Sequence, residues 1–291
     1  MKININQDQI ALEMYEAAER FGMEEPRRKY VGMSEIGGAC SRKIWLKFRG
    51  VSGGRIPGQT IMLFSLGDRI EEEVIKWLEK AKYRISDRQL TFSGHNGFFR
   101  GHCDGIIHRV SSHPHILEIK SANDKSFKAF KKYGVREKSE QYYAQMQCYM
   151  GYSKKVRALF VVMNKNNSEI YTERIKFDRN YFQELDKKAL EIIQSISIPP
   201  KTENSLCFFC EFKIQCESEE FMTYINHCPT CSFFSWGAPG RPFPICKHEK
   251  HPFEIKQCPP NHEWTSCQDY VNMFEKRYIQ IGDERYPICR Q

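Results

Sequence analysis

Asp104, Glu118 and Lys120 are the residues of this 291-residue sequence whose types and spacing most readily do chemistry. They stand in Gly101-His102-Cys103-Asp104-Gly105 and Glu118-Ile119-Lys120, with thirteen residues between the aspartate and the glutamate. If 97–109 and 115–121 pair as a hairpin, both carboxylates come to one place in a sheet. Strand alternation then puts Glu118 and Lys120 on the same face. Two carboxylates supply the hard oxygen ligands that Mg²⁺ or Mn²⁺ takes. A lysine beside them can position, or help deprotonate, a water attacking phosphorus, while bound cations offset charge developing on the phosphate oxygens.

A Glu-x-Lys triplet alone says little, since composition yields about one per chain of this size. This sequence has three, the others being Glu211-Phe212-Lys213 in a cysteine cluster and Glu254-Ile255-Lys256 in a Cys/His segment. Neither of those follows a strand that carries an aspartate. Two further elements favour the first triplet. Gly67 and Glu71 lie one turn apart on a long helix, where a glycine would let the helix approach the sheet and bring the carboxylate inward. Gln141, Gln145 and Tyr149 recur at i, i+4 and i+8 on a later helix, which suits Gln145 and Tyr149 to orient the lysine or contact a phosphate.

The elements that must position these residues follow from periodicity. Residues 7–22 read as an amphipathic helix ended by Gly22, and Ser41 to Phe48 as a short helix after the Gly-Gly-Ala-Cys turn. A helix covers roughly 61–81, with Leu63, Leu66, Ile70, Val74 and Trp77 expected as one buried stripe. Strands are expected at 84–92, 97–109 and 115–121, helices at about 126–132 and 139–152, strands at 156–163 and 169–176, and a helix at 179–195. That order describes an α/β or α+β domain with a central mixed sheet.

Net charge is +8, from 44 Lys and Arg against 36 Asp and Glu, which suits a polyanionic partner. No run approaches the roughly 18 apolar residues of a membrane span. The N-terminal residues are polar and lack the apolar core of a signal peptide, so a cytoplasmic protein is expected. Nine of the twelve cysteines fall at or after Cys207. In a reducing compartment such clustering points to metal ligation rather than disulfides. Cys207-x2-Cys210-x5-Cys216 offers three thiolates, and Cys40 is the candidate fourth ligand. Farther on, Cys228-x2-Cys231 with Cys246 and Cys267 reads as a Zn²⁺ site, with Cys258 or His248 as alternative fourth ligands. That segment is poor in periodic apolar residues, so a metal is a plausible source of its stability. Cys103, Cys148 and Cys289 read as packing or incidental residues.

Taken in this order, the motifs closely resemble the RecB-like branch of the PD-(D/E)XK nuclease superfamily, over roughly residues 30–220. The resemblance implies a restriction-endonuclease-like core, with Glu71, Asp104, Glu118, Lys120, Gln145 and Tyr149 at the family's catalytic positions. It also implies Mg²⁺ or Mn²⁺ on Glu71, Asp104, Glu118 and the Ile119 carbonyl. The family's first-helix residue is often His, and here it is Glu71. Cys40 with Cys207, Cys210 and Cys216 resembles the iron–sulfur staple of such nucleases, implying a 4Fe–4S cluster of largely structural role. A four-cysteine zinc site remains the alternative. The expected organisation is therefore 1–29 helical, 30–221 nuclease domain and 222–291 Zn²⁺-binding module. The expected activity is metal-dependent DNA hydrolysis, with exonuclease action favoured. DNA ends or single strands are the expected substrate, and recombination or CRISPR-adaptation-like proteins are potential partners. Non-catalytic nucleic-acid binding is the rival reading. Lys125, Lys128, Lys131, Lys132, Arg136 and Lys138, interleaved with Phe127, Phe130 and Tyr133, read equally as a strand-tracking surface with stacking rings or as a solvated helix face.

Overall fold

The computed structural model describes residues 7–24, 28–38, 40–51, 53–195, 197–202, 207–208, 210–218, 234–235, 245–246, 278–281 and 284–287. Cys228, Cys231, Cys258, Cys267, Cys289 and His248 lie outside the described residues, and Cys246 is described only as backbone in a short strand.

The chain opens with α1 (Gln7–Glu24), β1 (Val31–Gly32), α2 (Ser41–Phe48) and α3 (Gly58–Lys80). Strands β2 (Ile85–Ser86), β3 (Leu90–Gly94), β4 (Phe99–Cys103), β5 (Gly105–Ile107) and β6 (His115–Ala122) follow. Then come α4 (Asp124–Lys138), α5 (Glu140–Ser153), β7 (Arg157–Asn164), β8 (Ile170–Lys176), α6 (Arg179–Gln194) and the short α7 (Lys213–Ser218). Two small antiparallel pairs, Phe234–Ser235 with Ile245–Cys246 and Tyr278–Ile281 with Glu284–Pro287, complete the described elements.

The fold is α+β, with two mixed sheets flanked by helices. The larger has the order β2-β5-β6-β7-β8, with β6 and β7 parallel and the other pairs antiparallel. The smaller runs β1-β4-β3. A parallel pair needs a crossover, and α4 and α5 provide it between β6 and β7. The β7 run Ala158-Leu159-Phe160-Val161-Val162 is buried throughout because both faces of the sheet are covered. On one face Ile116, Phe160 and Val162 join the main core with α4, α5 and α6. On the other, Leu117, Ile119, Leu159 and Val161 pack with Val74 and Ile75 of α3. Among the described residues no helix is long and apolar enough to cross a membrane.

Three expectations are corrected. The run 97–109 is not one strand, because the chain breaks at Asp104, leaving β4 in the smaller sheet and β5 in the larger. Second, the α3 stripe is buried only at Val74, with Ile70 partly covered, while Leu63, Leu66 and Trp77 are 50%, 46% and 58% exposed. The C-terminal half of α3 lies on the sheet and its N-terminal half meets α1 instead, so apolar spacing there does not coincide with core. Third, Gly67 does not mediate close packing, because nothing lies within 4 Å of where its Cβ would be. Near the site a close approach occurs instead at Gly101, where a Cβ would stand 2.6 Å from the Tyr149 ring.

Candidate active site

Asp104 sits where the chain passes from one sheet to the other. Strand β5 pairs with β6 only as far as Gly105 opposite Leu117. Just past that point Ile119 N donates to Asp104 Oδ2 at 2.6 Å, and Asp104 N donates to Leu117 O at 3.2 Å. The aspartate side chain thus continues the ladder with a carboxylate in place of the next backbone rung. Burial raises its pKa, while Lys120 and the Ile119 N–H pull the other way.

Glu118 projects from β6 and is fully buried. Its Oε1 is ion-paired with the Lys120 ammonium, while Oε2 has no donor among the described residues. Leaving that buried oxygen without a donor costs about 1–3 kcal/mol of folding free energy. Burial pushes the carboxyl up to about 8, with Asp104 and Glu71 acting in the same sense and Lys120 opposing. Burial works against the charge of Lys120, but Glu118 and Asp104 outweigh it, so its pKa rises and the lysine is an ammonium.

Glu71, half-buried on α3, accepts from Gln89 Nε2 at 2.9 Å. Burial, followed by the charge of Asp104, pushes its carboxyl up to about 7. Glu71, Asp104, Glu118 and Lys120 therefore share one electrostatic field. Among the described residues no three Cys, His, Asp or Glu side chains already converge as a metal-binding group. Gln145 donates to the Tyr149 hydroxyl at 2.7 Å, and both are buried. Tyr142, absent from the sequence expectations, has its ring 5.5 Å from Lys120 Nζ and is held between Phe130 and Phe160. The signal that could have found it is its place three residues before Gln145 and seven before Tyr149, on the same helix face. Gln89 carries no comparable signal, because it reaches Glu71 from a turn with φ of 53°.

The second site candidate lies elsewhere. Cys40, Cys207, Cys210 and Cys216 all line one cavity of about 240 Å³, walled by Leu46 and Phe212. Cys40 caps α2, accepting from Lys43 N at 3.4 Å. Lys188 fastens the preceding turn by donating to Ile36 O and Gly38 O at 2.9 and 2.8 Å. Glu211, one of the decoy glutamates, pairs at 3.4 Å with Lys43, which lines this cavity. Cys103 and Cys148 are buried, and burial raises both thiols, Cys103 to about 12. Both are therefore inert packing residues at neutral pH.

Along α4, Phe127 and Phe130 are buried in the core, which removes them as stacking rings for a nucleic acid. Tyr133 alone of the three is exposed, and Lys128 and Lys131 are engaged by Asp124 and Glu169. A kink at Gly134, with φ of 74°, turns the helix end toward Glu173.

No family model and no curated protein matches the chain. Among solved structures it is similar to the protein SSO0001, at 14% identity and a TM-score of 0.46 over 71% of this chain and 96% of the other. It is also similar to LHK-Exo, an alkaline exonuclease from Laribacter hongkongensis, whose complex with dAMP matches at 15% identity and a TM-score of 0.44, covering 62% of this chain and 90% of that one. A phage-related exonuclease from Haemophilus somnus 129PT matches at 18% identity and a TM-score of 0.33, over 43% of this chain and 66% of the other.

Proposed function

We propose that this chain is a divalent-metal-dependent deoxyribonuclease that hydrolyses phosphodiester bonds, acting as an exonuclease on DNA ends. The observation that carries the reading is Glu118: a fully buried carboxyl whose Oε1 meets Lys120 while Oε2 has no hydrogen-bond donor, beside the Asp104 carboxylate that caps the β6 ladder. A bound cation would satisfy that oxygen, which is otherwise costly to bury without a partner. Asp104 and Glu118, with Glu71 and the Ile119 carbonyl, are the residues that would hold Mg²⁺ or Mn²⁺. When bound, the metal supplies charge neutralisation on the scissile phosphate and lowers the pKa of a coordinated water.

The chain's own groups divide the remaining work. Lys120, held as an ammonium by Glu118 and Asp104, orients the attacking water and offsets charge on the phosphate rather than accepting a proton. Glu71 faces the same group from α3 and is placed to complete the cation's ligands or to position that water. Gln145 and Tyr149 form a buried pair that packs against Gly101 and holds the strand leading to Asp104.

The four-thiol cavity supports a cluster held by Cys40, Cys207, Cys210 and Cys216. All four cysteines line the one cavity, and the 4Fe–4S assignment follows the resemblance of their spacing, with a four-cysteine zinc site as the alternative. Visible absorption that bleaches on reduction, with iron and sulfide in the purified protein, tests that assignment. The C-terminal cysteines Cys228, Cys231, Cys246 and Cys267 are proposed on sequence alone to bind Zn²⁺.

Incubation with Mn²⁺ and end-labelled single- and double-stranded DNA tests the activity. Stepwise shortening that disappears in Glu118→Gln is expected. DNA that stays intact under all metals, or full activity in Glu118→Gln, overturns the reading.

A further inference from the structure

At the end of α5 remote from the acidic group, a cavity of about 310 Å³ opens between the α5 C-terminus, the start of β7 and the start of α6. From Tyr142, which covers Lys120, to Lys154 at the cavity is about 18 Å along the helix. The floor is apolar. Met150 is buried there, and Phe177 and Phe182 form a tilted ring pair with centroids 5.8 Å apart. Val156, at the mouth, is 47% exposed.

The rim is cationic. Lys154, Lys155 and Arg179 line it, no lining residue is a carboxylate, and among the described residues none of the three cations has an ion-pair partner. Two further observations say that this charge lacks its counter-charge. Arg157 and Lys176, adjoining Val156 and Phe177, stand directly opposite each other on β7 and β8. Like charges so placed destabilise a sheet. Asp178, the carboxylate between Phe177 and Arg179, is directed elsewhere: it accepts from Tyr181 N at 3.1 Å as the cap of α6, and it faces Arg136 at 3.9 Å. Lys154 also ends α5 in the left-handed conformation, with φ of 58°, where glycine is the usual residue. A lysine there gives up backbone stability and places a charge on the rim.

Cations above a ring-floored space match a ligand that is anionic at one end and flat and apolar at the other. An inorganic anion alone leaves the floor unused. The volume lies at the lower end of small-molecule sites, which run from about 300 to 1,000 Å³, and so suits one nucleotide rather than a strand. We propose that this cavity binds a nucleoside monophosphate, with its base on Phe177 and Phe182 and its phosphate on Lys154, Lys155 and Arg179. The site is separate from the acidic group and does not depend on the nuclease reading, under which its ligand is of the class of the released product.

Calorimetric titration of the full chain in chelator, with dAMP, deoxyadenosine and inorganic phosphate as probes, tests this. One dAMP should bind and raise the thermal midpoint. Deoxyadenosine and inorganic phosphate should each bind at least about tenfold more weakly, since each fills half of the site. Arg179→Glu and Lys155→Glu should each weaken dAMP about tenfold or more. Val156→Trp, at an exposed position, should block the mouth while leaving the midpoint of the nucleotide-free protein unchanged. Lys154→Gly should raise that midpoint and still weaken dAMP, a combination that a merely structural lysine would not give.

No dAMP binding at millimolar concentration, equal affinity for inorganic phosphate, or binding that survives both Arg179→Glu and Val156→Trp overturns the site. So does an oligonucleotide that binds more tightly than dAMP and is lost in the same variants, which marks a strand path instead. The titration needs neither divalent metal nor cleavage, so its failure is distinct from failure of the nuclease reading.

Discussion

Asp104, Glu118 and Lys120 hang from a sheet that exists whether or not anything binds them. Strand β7 pairs along the length of β6, Ile119 N clamps Asp104, and Tyr142 covers Lys120. Three of the four thiols of the cysteine-lined cavity instead sit on a short C-terminal stretch. None of the residues of α7 is buried, and that stretch meets the body through Gly54 N donating to Glu211 O at 2.6 Å, the Lys43–Glu211 pair and the buried Phe212. One site is a preformed scaffold in which a buried carboxyl oxygen of Glu118 is left without a donor. The other is a set of ligands whose scaffold is completed by what they bind. Removing the bound group should therefore do opposite things: abolish chemistry without unfolding at the first, and loosen structure with little effect on chemistry at the second.

The largest expected effect is at Glu118. Glu118→Gln should lower kcat on the order of a thousandfold, and in chelator its thermal midpoint should change little, because the amide keeps the shape and Lys120 keeps Asp104 as a counter-charge. A lowered midpoint would mean that the carboxylate is a structural partner. At the cysteine site, Cys210→Ala should reduce bound iron, increase amide exchange across 207–218 and lower the midpoint by several degrees. Activity per folded molecule should stay within about tenfold of normal, and a loss as deep as that of Glu118→Gln would erase the contrast between the two regions.

The acidic group should also be visible in the pH dependence of metal-free protein. Glu118 at about 8 and Glu71 at about 7 both lie above the ordinary glutamate value of 4.5, so the folded state keeps protons that the unfolded chain has released. Stability must then fall as pH rises from about 4.5 to about 8. Thermal melts in chelator at pH 6 and pH 8 check this, and Mn²⁺ or the Glu118→Gln substitution should flatten the slope. The smallest effect is expected at Tyr142. Tyr142→Phe keeps the ring over Lys120 and should be nearly silent, whereas Tyr142→Leu should lower kcat about three- to tenfold with KM unchanged.

Much of this was readable from residue spacing. Strand alternation correctly put Glu118 and Lys120 on one face, and Ser41–Phe48 is a helix with the expected bounds. Cys103 and Cys148 are buried packing residues as expected. What spacing does not carry is which surface covers an apolar face. Leu63, Leu66 and Trp77 have helical periodicity yet stand outside the core, and Phe127 and Phe130, read as potential stacking rings, are inside it. The break at Asp104 was legible but not used: Asp104-Gly105 is an Asp-Gly breaker inside a run read as one strand, and the chain changes sheets there as the Asp104 carboxylate takes the next rung of the ladder.

Metal binding and proton release, measured together by calorimetry at pH 7 in buffers of different ionisation enthalpy, test the central claim most directly. Because Glu118 and Glu71 hold protons near neutrality, Mn²⁺ should bind the native protein with protons expelled to the buffer, and Glu118→Gln should lose both the binding and the release. Native protein that binds no Mn²⁺, or Glu118→Gln that binds it with the same proton count, would contradict the account.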